Sequence, residues 1–325
     1  LGVGSIVLGL ALQNSVGNII SGLFLLFEQP FQLGDWIDAR LAGNLIVRGP
    51  VVEVNWRATH IHAGDGVQIV PNSMLAAASF TNLSRPEGAH LISVGTVFAL
   101  SDPSDDVCRL LTRVASTLPQ RHADELPRTV PAGGTAYTTS IPLKSPADAD
   151  AARATFLRWI WFAARRADLH LDGADDDFAT SERAEQALRM VASTLRLNQA
   201  EQQEMLPHIR ITRYGAAETI QVKGEVPQQI TFIVSGRVGL TFTGADGSIV
   251  PVRTLEEGDF LGQTALTREA VTLAAHALEK TTVLQIQRDH IEGLVQRKPL
   301  LLQDIGRKIE EHRQDLRRAL ASMGY

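Results

Sequence analysis

LGVGSIVLGLALQNSVGNIISGLFLLFEQPFQLGD, residues 1–35, carries no ionisable side chain before Glu28. About 20 apolar residues cross a bilayer as a helix, and Leu1 to Leu26 reaches that length. Soluble core helices seldom stay uncharged so long. Gly2, Gly4, Ser5, Gly9, Ala11, Ser15, Gly17 and Gly22 scatter small residues among Leu, Ile and Val; small residues let membrane helices approach closely. Ile6 and Leu10 are four apart and share a helix face, with Ser5 and Gly9 on the neighbouring one. In a ring of such helices Ile6 and Leu10 would face a central axis, where aliphatic rings close a pore by dewetting. The apolar run breaks at Gln13-Asn14-Ser15 and Gly17-Asn18, then resumes at Ile19-Ile20 and Leu23 to Phe27. A kink between Gln13 and Gly17 is expected, turning a spanning helix into one along the interface. A lone membrane anchor, or an apolar helix buried in an oligomer, fits this pattern equally well.

With 325 residues, the chain is long enough for two or three domains, each with its own core. A net charge of -5 argues against a nucleic-acid partner. Cys108 is the single cysteine, so there is no internal disulfide framework and a reducing location is expected for most of the chain. No basic n-region precedes the apolar stretch, which therefore does not read as a signal peptide. Further membrane helices are expected upstream of Leu1.

Motifs dispersed over the first 85 residues make the reading specific. Gly9-Leu10-Ala11-Leu12-Gln13, Ser15, Asn18, Pro30-Phe31, Gly34-Asp35, Gly64-Asp65-Gly66, Ile69-Val70-Pro71-Asn72 and Asn82-Leu83-Ser84-Arg85 resemble, in order and spacing, the small-conductance mechanosensitive channel family. The resemblance implies that Ile6 and Leu10 match two aliphatic gate positions and that about Asn14 to Phe27 is the amphipathic half beyond a kink. It also implies membrane lipid as a partner, weak ion selectivity and assembly as a homoheptamer. Two positions depart from the family: Asn14 stands where a kink glycine is usual, and Gln29 where arginine precedes Pro30-Phe31.

From Asp35 to Asn82 short β-branched runs alternate with Gly/Asp turns, which predicts strands: Trp36-Ile37, Leu45 to Val47, Val51 to Val54, Thr59 to Ile61 and Val67 to Val70. His60 and His62 would share one strand face, but two histidines without a third ligand do not make a metal site. Residues 86–175 read as strand Leu91 to Val97, helix Asp105 to Leu118, strand Thr135 to Ile141 and helix Ala149 to Ala167. Their order resembles the family's α/β vestibule domain. Pro119 to Gly134 reads as a polar loop. Trp159 and Trp161 with Arg158, Arg165 and Arg166 read as a solvated basic face. Asp172 to Asp177 lacks the ligand spacing of a calcium loop and reads as a boundary, followed by a linker helix over about 176–197.

Residues 198–325 carry closely spaced strand signals from Glu218 to Ile286, which imply a β roll. Lys223-Gly224-Glu225, Phe232 to Val238, Leu255 to Gly262 and Ala265-Leu266 resemble the cyclic-nucleotide-binding domain, with helices at Ile291 to Leu294 and Leu301 to Leu320 that usually close over the ligand. The resemblance implies a phosphate cassette at Gly262-Gln263-Thr264-Ala265-Leu266 and a pocket for cyclic AMP or cyclic GMP. Gln263 stands where the ribose-binding glutamate is usual, and Val271-Thr272 where Arg-Thr is usual. A buried phosphate without its guanidinium loses several kcal/mol. Arg268 is the nearest substitute, and a degenerate, non-binding sensor is the favoured alternative.

The expected fold is thus a multidomain membrane protein: pore-lining and interfacial helix (1–28), small β domain (29–85), α/β domain (86–175), linker helix (176–197) and a C-terminal β roll with flanking helices (198–325). The expected function is a homo-oligomeric channel of the cell (inner) membrane, cytoplasmic from about residue 29, opened by tension and modulated by the roll. The runner-up is a membrane-anchored cyclic-nucleotide-responsive regulator. No helix-turn-helix pattern and no nucleophile, metal cluster or phosphate loop is present, so a transcription factor and an enzyme are both set aside.

Overall fold

The computed structural model describes residues 16, 17, 19–64, 66–85, 88–244 and 248–321. Ser5, Ile6, Gly9, Leu10, Gln13 and Asn14 lie outside the described residues. Among those described, no helix is long and apolar enough to cross a membrane. The chain divides into two compact units. One holds the described residues up to Val94 with Leu118–Arg128 and Ser140–Ala154; the other holds Gly95–Thr117, Thr129–Thr139 and the described residues from Thr155 onward.

The first unit opens with helix α1, residues 19–28. Strands β1 (Trp36–Arg40), β2 (Ile46–Val54), β3 (Ala58–Ala63), β4 (Gly66–Pro71) and β5 (Ser79–Asn82) form an antiparallel sheet in the order β4-β3-β2-β1-β5. Helix α2 (Asn72–Ala76) joins β4 to β5. Alternation puts Ile37, Ala39, Val47, Val51, Ile61 and Val70 on one buried face with Phe31 and Leu75. Leu25 joins that core, and Gly22 lets α1 close onto it. A Cβ at Gly22 would lie 2.2 Å from the Trp56 carbonyl oxygen and 2.6 Å from Asn72 Nδ2. Asn72 is fully buried: its Nδ2 donates to the Asn55 carbonyl at 2.8 Å and its Oδ1 accepts from Thr59 Oγ1 at 2.9 Å.

The motifs around Asp35 and Asn82 form one strap. Asn82 Nδ2 and the Gln32 amide each donate to Asp35 Oδ2 at 2.9 Å, and Arg85 Nε lies 3.3 Å from it. Asn82 Nδ2 also donates to the Pro30 carbonyl at 3.2 Å, and the Trp36 amide donates to Ser84 Oγ at 2.9 Å. Burial pushes the Asp35 carboxyl up, but these donors outweigh it and hold the carboxyl below its ordinary value.

Strands β6 (His90–Val97), β7 (Arg128–Gly133) and β8 (Ala136–Leu143) form a sheet in the order β6-β8-β7. The run Pro119 to Gly134 is therefore not all loop. Its end is β7, which alternation does not reveal because Thr129 alone is half-covered and Val130 to Gly133 are exposed. Helix α3 (Ser104–Ser116) buries Val107, Leu111 and Ala115, and helix α4 (Ala149–Arg166) buries Phe156, Trp159, Ile160 and Ala163. Full burial of such side chains stabilises by about 1.5–3 kcal/mol each.

Helices α5 (Ser181–Val191) and α6 (Gln199–Met205) lead into the roll. Thr180 caps α5, and Asn198 with Glu201 forms a reciprocal capping box on α6. The roll is two antiparallel sheets. One has the order β10 (Thr219–Gln221), β15 (Ala274–Ala277), β12 (Val238–Thr243), β13 (Ile249–Leu255). The other is β14 (Phe260–Leu261), β11 (Gln229–Ser235), β16 (Thr281–Gln287), β9 (Ile209–Tyr214). The second sheet is covered on both faces. Ile233 and Leu261 face the roll interior with Leu240 and Leu273, whereas Ile230, Phe232, Leu284 and Ile286 pack on α5 and on helices α7 (Arg288–Arg297) and α8 (Pro299–Ala321). That double burial explains why β11 reads as a near-continuous apolar run, Ile230 to Val234, interrupted only by the buried Thr231. Leu188, Val191 and Leu195 place the expected linker helix and its end inside the module's core.

Candidate functional site

Gly262 opens the cassette in the left-handed region at φ 81°, and a Cβ there would lie 2.5 Å from the Gln229 carbonyl oxygen, so the position requires glycine. The next three residues, Gln263–Ala265, form a single 3-10 turn rather than an α-helix. Gln263, Thr264, Val271 and Thr272 come together around a cavity of about 290 Å³, closed partly by Ile309 of α8. Glu269 also lines it, and no arginine or lysine does so among the described residues. Val271 itself is buried. Ala265 is buried, and Leu266 packs against the helix-side core. Arg268 is not part of the lining. It sits at φ 57° with its side chain 69% exposed, 3.9 Å from Glu292 on α7. Arg253 of β13 donates to Asp315 of α8 at 3.1 Å and ties the last helix to the roll. Val16 and Gly17, the described positions of the expected kink, are helical, and Gly17 has open space where a Cβ would be.

The sequence reading passed over a second constellation, the seating of α4 against the turn between β9 and β10. Trp159 Nε1 donates to the Ala216 carbonyl at 3.0 Å, and a Cβ on Gly215 would lie 2.7 Å from the Phe162 ring. Arg166 forms a two-nitrogen pair with Glu218, donates to the Arg213 carbonyl at 2.7 Å and lies 4.1 Å from the Tyr214 ring centroid. Glu218 Oε2 also accepts from the Gly215 amide at 2.8 Å. Burial pushes the Glu218 carboxyl up, against the pull of Arg166 and the Gly215 amide. Of the face read as solvated, Trp159 and Arg166 are therefore internal contacts, whereas Arg158 and Trp161 are exposed. The sequence signal for this seating was the Ile209/Ile211 alternation ending at Gly215, hidden among Arg210 and Arg213.

The acidic boundary is engaged as well. Arg210 holds both Asp168 oxygens at 3.0 and 2.9 Å, and Arg213 donates to Asp176 at 2.9 Å while stacking 3.9 Å from Phe178. His170 donates its amide to Asp102 Oδ2 at 2.8 Å and places Nδ1 2.7 Å from Oδ1; Asp175 lies 3.5 Å from Nε2. The Asp102 hydrogen bond, the largest influence on the imidazole, raises the His170 pKa, with Asp175 and Asp168 adding to it against a smaller effect of burial.

On α1, Ile19, Ile20, Leu23, Phe24, Leu26 and Phe27 are exposed, Phe27 by 84%. A soluble monomer seldom leaves so many neighbouring apolar side chains uncovered.

Residues 14–85 match the family profile described as the mechanosensitive ion channel β-domain, and residues 211–298 that of the cyclic nucleotide-binding domain. The low conductance mechanosensitive channel YnaI of Escherichia coli is 35% identical over 85 residues, covering 26% of this chain and 24% of that protein. The small-conductance mechanosensitive channel MscMJ of Methanocaldococcus jannaschii is 35% identical over 100 residues, covering 30% and 27%. A solved closed-state Helicobacter pylori MscS aligns with 55% of this chain and 71% of its own at 20% identity and TM-score 0.45. The chain spans only 24% and 27% of the length of the two curated relatives. Fold and motifs define a protein that joins a channel-type β domain to a cyclic-nucleotide-binding fold. Residues 14–85 are thus similar to the β domain of mechanosensitive ion channels, and residues 211–298 to cyclic nucleotide-binding domains.

Proposed function

We propose that this chain is a subunit of a homo-oligomeric membrane channel, opened by bilayer tension and biased by its C-terminal module. The observation that carries the reading is the uncovered apolar surface of α1 on a channel-type β domain, since Ile19, Ile20, Leu23, Phe24 and Phe27 need lipid or a neighbouring subunit to cover them. In this reading Ile6 and Leu10 form the constriction, Ser5, Gly9, Gln13, Asn14 and Gly17 set helix packing and the kink, and seven copies surround the pore. The chain lies at the cell (inner) membrane, with residues from about 29 onward cytoplasmic. Its parts are the helix to 28, the β domain to 85, the α/β domain to 175, the linker to 197 and the module beyond. The α4 contact through Trp159 and Arg166 is the route by which the module acts, and a bias of a few kcal/mol is enough to shift a two-state gate.

Patch recording of the full protein under applied suction tests this. Leu10→Ser is expected to leak at rest, and Arg166→Met to shift the tension threshold. Unchanged closed-state conductance in the first removes Leu10 from the gate; an absence of tension-activated current in the unmodified protein sinks the channel reading. For the cassette, loss of the usual pair at Gln263 and Val271 is expected to leave cyclic AMP and cyclic GMP weakly bound. Calorimetric titration of the full chain tests that expectation, and micromolar binding of either nucleotide would overturn it.

A further inference from the structure

A second cavity in the module, about 340 Å³, shares no lining residue with the cassette cavity. Its wall is Ile230, Phe232 and Phe260 of the roll, with Leu195, Leu301 and Ile305 from the helical layer. All six are buried, and the two phenyl rings lie 5.3 Å apart. The mouth is polar, with Ser193, Thr194, Arg196, Asp304 and Arg307 around it. Arg196 Nε donates to Asp304 Oδ2 at 2.9 Å, and Arg307 Nη2 to Asp304 Oδ1 at 2.8 Å. Two guanidiniums share one carboxylate, so among the described residues the mouth carries a net positive charge. The neighbouring Glu201 is neutralised by Lys298 at 2.6 Å and does not cancel it.

Protein interiors are packed nearly as densely as organic crystals, and apolar voids of about 150 Å³ already bind benzene. Small-molecule sites combine an apolar, often aromatic lining with a few polar groups that fix one end of the ligand. This cavity has both parts, in the right order from wall to mouth. We infer that it binds a small carboxylate with an apolar body. The ring or branched chain lies against Phe232 and Phe260, and the carboxylate shares Arg196 and Arg307 with Asp304. A guanidinium offers enough donors to serve two carboxylates at once. Such a ligand would touch both the turn after α5 and the first turns of α8, so it would hold the last helix to the roll from a site separate from the cassette.

The test is calorimetric titration of the full chain with three molecules that differ only in the head group: 3-phenylpropionate, 3-phenylpropanol and 3-phenylpropylamine. The acid is expected to bind about tenfold or more tighter than the alcohol, and the amine not to bind, as a charge-assisted hydrogen bond implies. Arg307 is 69% exposed, so Arg307→Gln leaves the fold intact and is expected to weaken the acid about tenfold without moving the alcohol. Thr194→Trp, checked for native circular dichroism, is expected to block the mouth to both. Equal affinity for acid, alcohol and amine, absence of acid binding at millimolar concentration, or no effect of Arg307→Gln would overturn the inference. Any of those results leaves the channel reading standing, because that reading is scored by current under tension.

Discussion

Arg166→Met should loosen the turn between β9 and β10 in a way that a second substitution partly repairs. Removing one partner of a buried ion pair costs about 3–5 kcal/mol, because the other charge is left uncompensated. Arg166 is 19% and Glu218 7% exposed at the side chain, so the pair is nearly but not fully shielded and the lower figure of about 3 kcal/mol applies. That figure includes the lost donation to the Arg213 carbonyl. Glu218→Gln leaves an acceptor for the Gly215 amide and costs about 1–1.5 kcal/mol. The double variant Arg166→Met/Glu218→Gln holds no unpaired charge, so its cost should fall short of the sum by about 2–3 kcal/mol. Hydrogen exchange of the segment Ile209 to Thr219 reads this directly. Protection of the Gly215 and Ala217 amides should drop about 100-fold in Arg166→Met, since 1.4 kcal/mol is about a factor of ten, and recover several-fold in the double variant. The loss should also shrink in mild acid, because burial already pushes the Glu218 carboxyl up and the unpaired group would take a proton. Strict additivity, or unaltered protection in Arg166→Met, would refute the assignment of this pair to the seating of α4.

Gly22→Ala should destabilise the β domain by about 1–3 kcal/mol, read as a lower thermal midpoint, because the added carbon meets the Trp56 carbonyl oxygen at 2.2 Å; an unchanged midpoint would mean that α1 is not seated there. The Asp35 carboxyl is held below its ordinary 3.8, so its contribution is complete above that value and is lost as pH falls through the lowered native one. The β-domain unfolding midpoint should therefore fall steeply below about pH 4, and less so in Asp35→Asn; equal slopes would rule out the strap as the cause. His170 is raised above 6.5, so its stabilisation of the acidic loop is full below that value and is lost as pH rises through the native one. An imidazole titration followed by NMR should show the raised midpoint and its return toward 6.5 in Asp102→Asn, and a value at or below 6.5 in the unmodified protein would contradict the geometry.

Much of the architecture was legible in the chain because it rests on local rules. Strand signals marked β3, β4 and most of the roll but split the single strand β2 into two runs at Gly49-Pro50, and apolar spacing marked α3, α4 and α8 within a few residues. The motifs Pro30-Phe31, Gly34-Asp35 and Asn82 to Arg85 were visible as words, but sequence alone did not say that they form one hydrogen-bonded strap. β7 was missed because most of its side chains are exposed, and β9 because arginines interrupt its alternation. The cassette reading named Gly262, Gln263, Thr264, Val271 and Thr272, and the last four line one cavity, but it could not say whether Arg268 reaches them. That depends on a left-handed residue and on Glu292, contributed by a helix some twenty residues later.

The order of residues along the chain was enough to reveal the elements, the two resemblances and the absence of the usual arginine and glutamate from the cassette, because propensity, periodicity and motif spacing are properties of neighbouring residues. Packing in three dimensions was needed to bring Trp159 and Arg166 to a turn more than fifty residues away, to point Arg268 out to Glu292, and to open a second cavity between Phe260 and Leu301. Partner choice for a long charged side chain, and the shape of a void, are set by which distant surfaces pack together. No local pattern encodes that.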